Sequence, residues 1–153
     1  MLFTEISPPI ILQKRWLIAK PSPVPPYFLV VEGSTWENMM MAANLELSNL
    51  IVFMDHNGSQ SFGHTRETHP KFYPIREKVE GFGWECAEVN GHNVNEVYKA
   101  VQNRKGDKPF FVIGNTVKGK AVSFMEHQPI WHYRSPNPEE YQQAIAELKE
   151  VQS

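Results

Sequence analysis

The chain carries one cysteine, Cys86, in 153 residues. A single thiol excludes an internal disulfide framework and suits a reducing compartment, so the expected location is the cytoplasm. Aspartate is almost as scarce, occurring only at Asp55 and Asp107. No apolar run approaches the ~20 residues that span a bilayer. The first residues lack the basic region, apolar region and cleavage site of a signal peptide. Charge of one sign is also lacking: the formal net charge is −2, which points to neither a nucleic acid nor a membrane partner. No internal repeat is visible. Residues 1–26 contain none of the nine glycines but six of the twelve prolines.

What is there reads as one globular domain. A chain of this length can bury a core. Its apolar content of 41% and charged content of 21% are ordinary. The prolines at Pro8-Pro9 and across Pro21–Pro26 exclude helix interior and central strand. Residues 1–26 are therefore expected to form an extended or disordered lead-in, and residues 27–153 the domain.

The domain is organised around Leu50–Met54. This continuous apolar run, bounded by polar residues, reads as a strand buried on both faces. Asp55, His56, Asn57 and Gly58 follow at its carboxyl end, where ligands bind in open α/β sheets. Asn57-Gly58 is equally a type I′ hairpin signal. Ser59-Gln60-Ser61, however, does not alternate as a partner strand would, and a helix pattern precedes the run.

Tyr27–Val31 is a further candidate strand. From Ser34 a helix is expected, with Ser34 and Glu37 as a capping box and Trp36, Met40, Ala43 and Leu47 on one face. Met39–Met41 read as core filler. Residues 59–70 read as loop, and Phe72–Gly81 as a helix closed by Gly81 and Gly83. Trp84–Val89 is a strand. Asn93 caps a helix to Arg104 with Val94, Val97, Tyr98 and Val101 on its stripe. Pro109–Ile113 is a strand, 116–138 a long loop, and Pro138–Val151 a helix presenting Tyr141, Ile145 and Leu148. Alternating strands and helices predict an α/β fold: a parallel sheet with flanking helices.

Five motifs follow one another along the chain: Glu32-Gly33-Ser34-Thr35-Trp36-Glu37, Asp55-His56-Asn57-Gly58, Gln60-Ser61-Phe62-Gly63, Lys118-Gly119-Lys120 and Trp131-His132-Tyr133-Arg134-Ser135-Pro136. Together they resemble the transketolases, thiamine-diphosphate-dependent enzymes. The resemblance covers about residues 32 to 150 and is to the second half of the diphosphate-binding domain. It implies transfer of a two-carbon ketol unit between sugar phosphates, with Mg²⁺ or Ca²⁺ holding the cofactor. A pyrimidine-binding domain or subunit completes such a site, so a homo- or hetero-oligomer is implied. Another thiamine-diphosphate transferase, such as deoxyxylulose-phosphate synthase, is the nearest alternative; the Trp131–Pro136 segment favours transketolase.

The resemblance also implies roles. Asn57, through its amide oxygen, and Ser59, through its carbonyl, would be metal ligands. Gly33, Asn57 and His132 would lie at the cofactor. His132 would donate hydrogen bonds to charge that develops in transfer. Glu32 and Glu37 would belong to a carboxylate relay between two active sites. Without the resemblance, Asn57 only makes a turn, the two acids only favour a helix start, and His132 is a loop histidine. His56, His64, His69 and His127 match no strong zinc spacing.

One departure stands out. The family's Gly-Asp-Gly triplet falls on Pro26, Tyr27 and Phe28, so its metal carboxylate and close-approach glycines have no counterpart. Ala121 stands where the family usually has glycine. The chain thus reads as a transketolase remnant behind an unrelated lead-in. It is expected to bind thiamine diphosphate weakly or not at all, and a non-catalytic fragment or dimerisation module is the alternative function.

Overall fold

The computed structural model describes residues 10–12, 33–60 and 63–151, the first three and the last of these by backbone alone. In chain order the elements are β1 (Ile10–Leu12), α1 (Gly33–Asn44), β2 (Leu50–His56), β3 (Ser59–Gln60), β4 (Gly63–His64), α2 (Thr65–Thr68), α3 (Ile75–Gly81), β5 (Glu85–Asn90), α4 (Val94–Gln102), β6 (Phe110–Asn115) and α5 (Pro138–Val151). Short 3-10 turns occupy Pro70–Phe72 and Pro129–His132. Tyr27–Val31, Glu32, and the Pro26–Phe28 positions lie outside the described residues, as do Ser61 and Phe62.

The main sheet has strand order β1-β2-β6-β5, with every pairing parallel. The three expected strands are all present and parallel. β1 falls within the segment read as a lead-in and pairs with the edge of β2 through Ile10–Leu12. β2 and β6 form the interior of the sheet, and both carry apolar residues on both faces. Phe111 and Ile113 face α1 and α3, in a core with Met39, Met54, Val79 and Trp84. Phe110 and Val112 face the other way, with Ile51 and the Ala100 and Val101 positions of α4. This alternation is the period-2 pleat, and the helices cover each face in turn.

Several helix faces differ from expectation. On α1 Trp36 and Ala43 pack against the core as expected, but the buried residues are Met39 and Ala42, while Met40 and, past the helix end, Leu47 are 43% and 38% exposed. Trp84 Nε1 donates to the Met39 carbonyl at 2.9 Å and fixes that rotation. Only Met39 of the three methionines is core filler; Met40 and Met41 are exposed. Helix α1 begins at Gly33, so Ser34 lies within the first turn and is not the cap. Helix α3 begins at Ile75 because Pro74 takes the cap position and disfavours helix in the residue before it. On α4 Asn93 caps as expected, its side chain accepting from the Asn95 and Glu96 amides. Val94 and Tyr98 are 79% and 63% exposed, so the packed stripe of α4 is Val97, Ala100 and Val101. On α5 Ala144 is buried while Tyr141 and Leu148 are exposed. A 3.6-residue period permits neighbouring stripes, and packing against the sheet selects one.

The segment read as loop after Asn57 is structured. β3 and β4 pair antiparallel, Ser59 with His64 and Gln60 with Gly63. The antiparallel pair thus joins Ser59-Gln60 to Gly63-His64 and does not close across Asn57-Gly58. Among the described residues, no helix is long and apolar enough to cross a membrane.

Candidate functional site

β2 and β6 run in register to their carboxyl ends, placing His56 beside Asn115 and Asp55 beside Gly114. Strand β2 thus extends two residues beyond its apolar run, and its polar tail meets the polar tail of β6. The two tails are cross-linked. Thr116 Oγ1 donates to Asp55 Oδ1 at 2.5 Å. The Asn115 side chain bridges both sides: its Oδ1 lies 2.6 Å from His56 Nδ1, and its Nδ2 donates to Glu88 Oε1 at 2.8 Å. Since Asn115 Oδ1 can only accept, His56 carries its proton on Nδ1. His56 Nε2 then accepts from the Tyr73 hydroxyl at 3.0 Å, and Tyr73 shares a 2.5 Å hydrogen bond with Thr65. A chain of hydrogen bonds of one polarity runs from Glu88 to Thr65.

Asn57 follows directly. Its Oδ1 accepts from the Ser59 amide at 3.0 Å, the Asx arrangement that turns the chain, with Gly58 at φ +69°. The Thr65 amide closes on the Gly58 carbonyl at 2.9 Å. Between these elements lies an open cleft of about 430 Å³, lined in part by Asn57, Gly58, Arg66, Thr116 and His127. A second cleft of about 230 Å³ adjoins it and shares His56, Arg66 and Tyr73.

The segment 116–137 folds back on itself through carboxylates. The Ala121 amide donates to Glu126, and this bond, ahead of nearby Lys120, holds the Glu126 carboxyl below the usual range. The Ser123 amide and hydroxyl both donate to Glu147 of α5 and lower that carboxyl likewise. Arg134 makes a two-pronged contact with Glu140 and stacks on Trp131 at 3.9 Å. The Glu140 carboxyl is lowered first by Arg134 and then by the Asn137 amide. This scaffold holds Lys118 Nζ 2.6 Å from His132 Nδ1. Lysine donates, so a neutral His132 carries its proton on Nε2. At the other end, the Val117 amide donates to His92 Nε2 at 2.7 Å.

The structure brings together only some of the expected site residues. Asn57 and Ser59 sit at the carboxyl end of β2, beside the larger cleft. Gly33 is the exposed first residue of α1, and Glu37 is exposed on the same helix. Glu37 lines neither cleft around His56. Glu32 lies outside the described residues. His132 is half-buried in its loop and also lines neither cleft; His127 of that loop does. Sequence reading missed Asn115 and Thr116, although they follow an apolar run just as Asp55 and His56 do. It also missed Tyr73, Thr65 and Glu88, which carry no local signal and are joined by the fold alone.

A divalent ion of the magnesium type requires near-octahedral oxygen ligands, with one or two carboxylates beside phosphate oxygens. Among the described residues, no three His, Cys, Asp or Glu side chains converge. Asn57 Oδ1 already accepts from Ser59, and Asp55 is tied to Thr116 and to Asn57 Nδ2 at 3.5 Å. The described residues alone do not form a donor set that fits such an ion.

Residues 29–143 match the family described as "Transketolase, thiamine diphosphate binding domain". The chain is 38% identical over 120 residues to a 6-deoxy-6-sulfo-D-fructose transketolase subunit of a Clostridium species, covering 77% of this chain and 43% of that protein. It is likewise 38% identical to one subunit of the apulose-4-phosphate transketolase of Actinobacillus succinogenes, covering 78% and 43%. Human transketolase is 32% identical over 124 residues, covering 80% of this chain and 19% of that one. The chain therefore spans less than half the length of these curated relatives. A crystal structure of transketolase from Campylobacter jejuni superposes with a TM-score of 0.65 over 76% of this chain and 18% of that chain, at 24% identity, which shows the shared fold. Parallel strands ending in a polar cleft, a matching sequence profile and these relatives agree: the chain belongs to the transketolase family, in its thiamine diphosphate binding domain.

Proposed function

We propose that the chain serves as the diphosphate-side part of a two-part transketolase that moves a two-carbon ketol unit between sugar phosphates. Two relatives whose names call them transketolase subunits support this reading. The single observation that carries it is the cleft at the carboxyl ends of β2 and β6, with Asn57-Gly58 on its wall. A pyrimidine-binding subunit would supply the rest of the site. Within it, Asn57 and the Ser59 carbonyl are the residues nearest to the metal role. His132, with Nε2 as donor, has the form needed to stabilise developing charge. Gly33 would stand at the cofactor, and Glu32 and Glu37 at the contact with a partner. Thiamine diphosphate, when bound, supplies the carbanion chemistry. Residues 1–26 act as a lead-in that contributes β1 to the sheet of the domain, a reading supported by the family match beginning at residue 29. The buried thiol of Cys86 accords with a cytoplasmic setting.

The engagement of Asn57 and Asp55 within the protein favours a second reading, a non-catalytic member that keeps the fold as an assembly module. Calorimetric titration of the 153-residue chain with thiamine diphosphate and Mg²⁺ separates the two. Weak or absent binding and no ketol transfer are expected of the chain alone. Pro26→Gly with Tyr27→Asp and Phe28→Gly should then raise Mg²⁺-dependent affinity. Micromolar, Mg²⁺-dependent binding by the unaltered chain would show that the lead-in replaces the family triplet functionally. No gain in the triple variant would favour the assembly module.

A further inference from the structure

We propose that Arg66 forms the base of a phosphoryl-binding subsite at the mouth of the cleft, held in place by Tyr73. Arg66 is exposed on α2, and its guanidinium carbon lies 4.3 Å from the centre of the Tyr73 ring. Among the described residues, its N–H donors have neither an ion pair nor a hydrogen bond. That is unusual beside Arg76 and Arg134, each of which is paired with a glutamate. A guanidinium stacked on a ring keeps its planar fork of donors free for a tetrahedral oxyanion.

The platform is itself built. The Tyr73 hydroxyl is fixed between His56 Nε2 and Thr65, and His56 is fixed by Asn115. The ring therefore cannot swing away without breaking two hydrogen bonds, and the arginine loses little freedom when it binds. The surrounding wall suits an anion. It carries the imidazoles of His64 and His127 and the Asn57 side chain, with Glu67 as its one acid, while the Thr116 hydroxyl already donates to Asp55. The Asp55 carboxylate is occupied by Thr116. The smaller cleft beyond Tyr73 holds Glu77 and Glu88, so the anion is drawn to the Asn57 side.

The ligand class is a phosphate or sulfonate ester. Under the proposed function it has two sources, the anionic end of a sugar and the diphosphate of the cofactor. The proposal rests on that function only for the choice between them; the anion site itself does not.

The test uses the ¹⁵N-labelled chain with no cofactor and no partner, so its outcome does not depend on whether thiamine diphosphate binds. The probes are D-ribose 5-phosphate, inorganic pyrophosphate and, as neutral control, D-ribose. Saturable amide shifts are expected at Gly58, Thr65, Arg66 and Tyr73 with the phosphate-bearing probes and not with ribose. Arg66→Gln, an exposed change that leaves the melting curve in place, should weaken binding about tenfold, as expected for losing charge-assisted hydrogen bonds. Arg66→Lys should fall between, because the charge stays and the fork is lost. Tyr73→Phe keeps the ring but releases it from His56 and Thr65, so it should weaken binding, though less than Arg66→Gln does. A stronger effect of Arg66→Gln on ribose 5-phosphate assigns the site to the sugar; a stronger effect on pyrophosphate assigns it to the cofactor. Equal shifts with ribose, no saturable shift with either phosphate, or unchanged affinity in Arg66→Gln would each overturn the proposal.

Discussion

Ala121 and Gly119 make a paired test of the loop that carries Lys118. Both adopt left-handed backbone, with φ of +70° and +74°. An L-residue with a β-carbon pays about 1–2 kcal/mol there. Replacing Ala121 by glycine removes that cost and returns about 0.4–1 kcal/mol of chain entropy to the unfolded state. The Ala121 amide, and so its bond to Glu126 at 3.0 Å, is kept. The net expectation is a gain of roughly 0.5–1 kcal/mol, from the difference of those two terms. For a domain of this size that is a rise of about 1–4 °C in melting midpoint. Gly119→Ala should do the opposite. Its new β-carbon would stand 2.6 Å from the Met125 carbonyl carbon and oxygen, which are backbone and cannot turn aside. Left-handed strain and overpacking together cost about 2–5 kcal/mol. Urea and thermal unfolding of both variants read the signs directly. A lower midpoint for Ala121→Gly, or a neutral Gly119→Ala, would refute the assigned backbone of this loop. Because Lys118 bonds His132, Gly119→Ala should also detach that pair, visible as a changed His132 ring resonance.

Acid should release the same segment before the sheet unfolds. Glu126, Glu140 and Glu147 all have carboxyl pKa values lowered in the folded chain. A lowered folded pKa adds stability above the unfolded value of about 4.3, and that stability is lost as pH falls through the folded values. Hydrogen exchange at the Ala121 and Ser123 amides should therefore accelerate below about pH 4 ahead of β6, relative to intrinsic rates; uniform protection down to global unfolding would contradict this. Trp84→Phe removes the bond to the Met39 carbonyl and part of the edge contact with Phe111. It should cost about 1.5–3 kcal/mol in urea unfolding, and a loss within error would mean that another contact fixes the rotation of α1. Asn93→Ala removes the cap of α4 and should cost about 1 kcal/mol, with Asn93→Gly costing less; equal losses would point away from capping.

By itself the sequence determined the parallel α/β fold. The apolar runs at 50–54 and 109–113 are too continuous for anything but strands covered on both sides, and the intervening helical patterns force crossovers. It also placed Asn57 at a strand end and Asn93 at a helix start, because both depend on neighbours a few residues away. The helix faces needed the tertiary structure. Met39 rather than Met40 is buried because Trp84, 45 residues on, reaches its carbonyl, and no local period encodes that choice. The cleft needed it too. His56, Asn115, Glu88, Tyr73 and Thr65 come from separate segments, and hydrogen bonds hold over about 3 Å only. Each residue is ordinary in its own stretch of chain. Their meeting is fixed by the register of β2 on β6 and by the turn that returns Thr65 to Gly58, which are properties of the folded sheet and of no single segment.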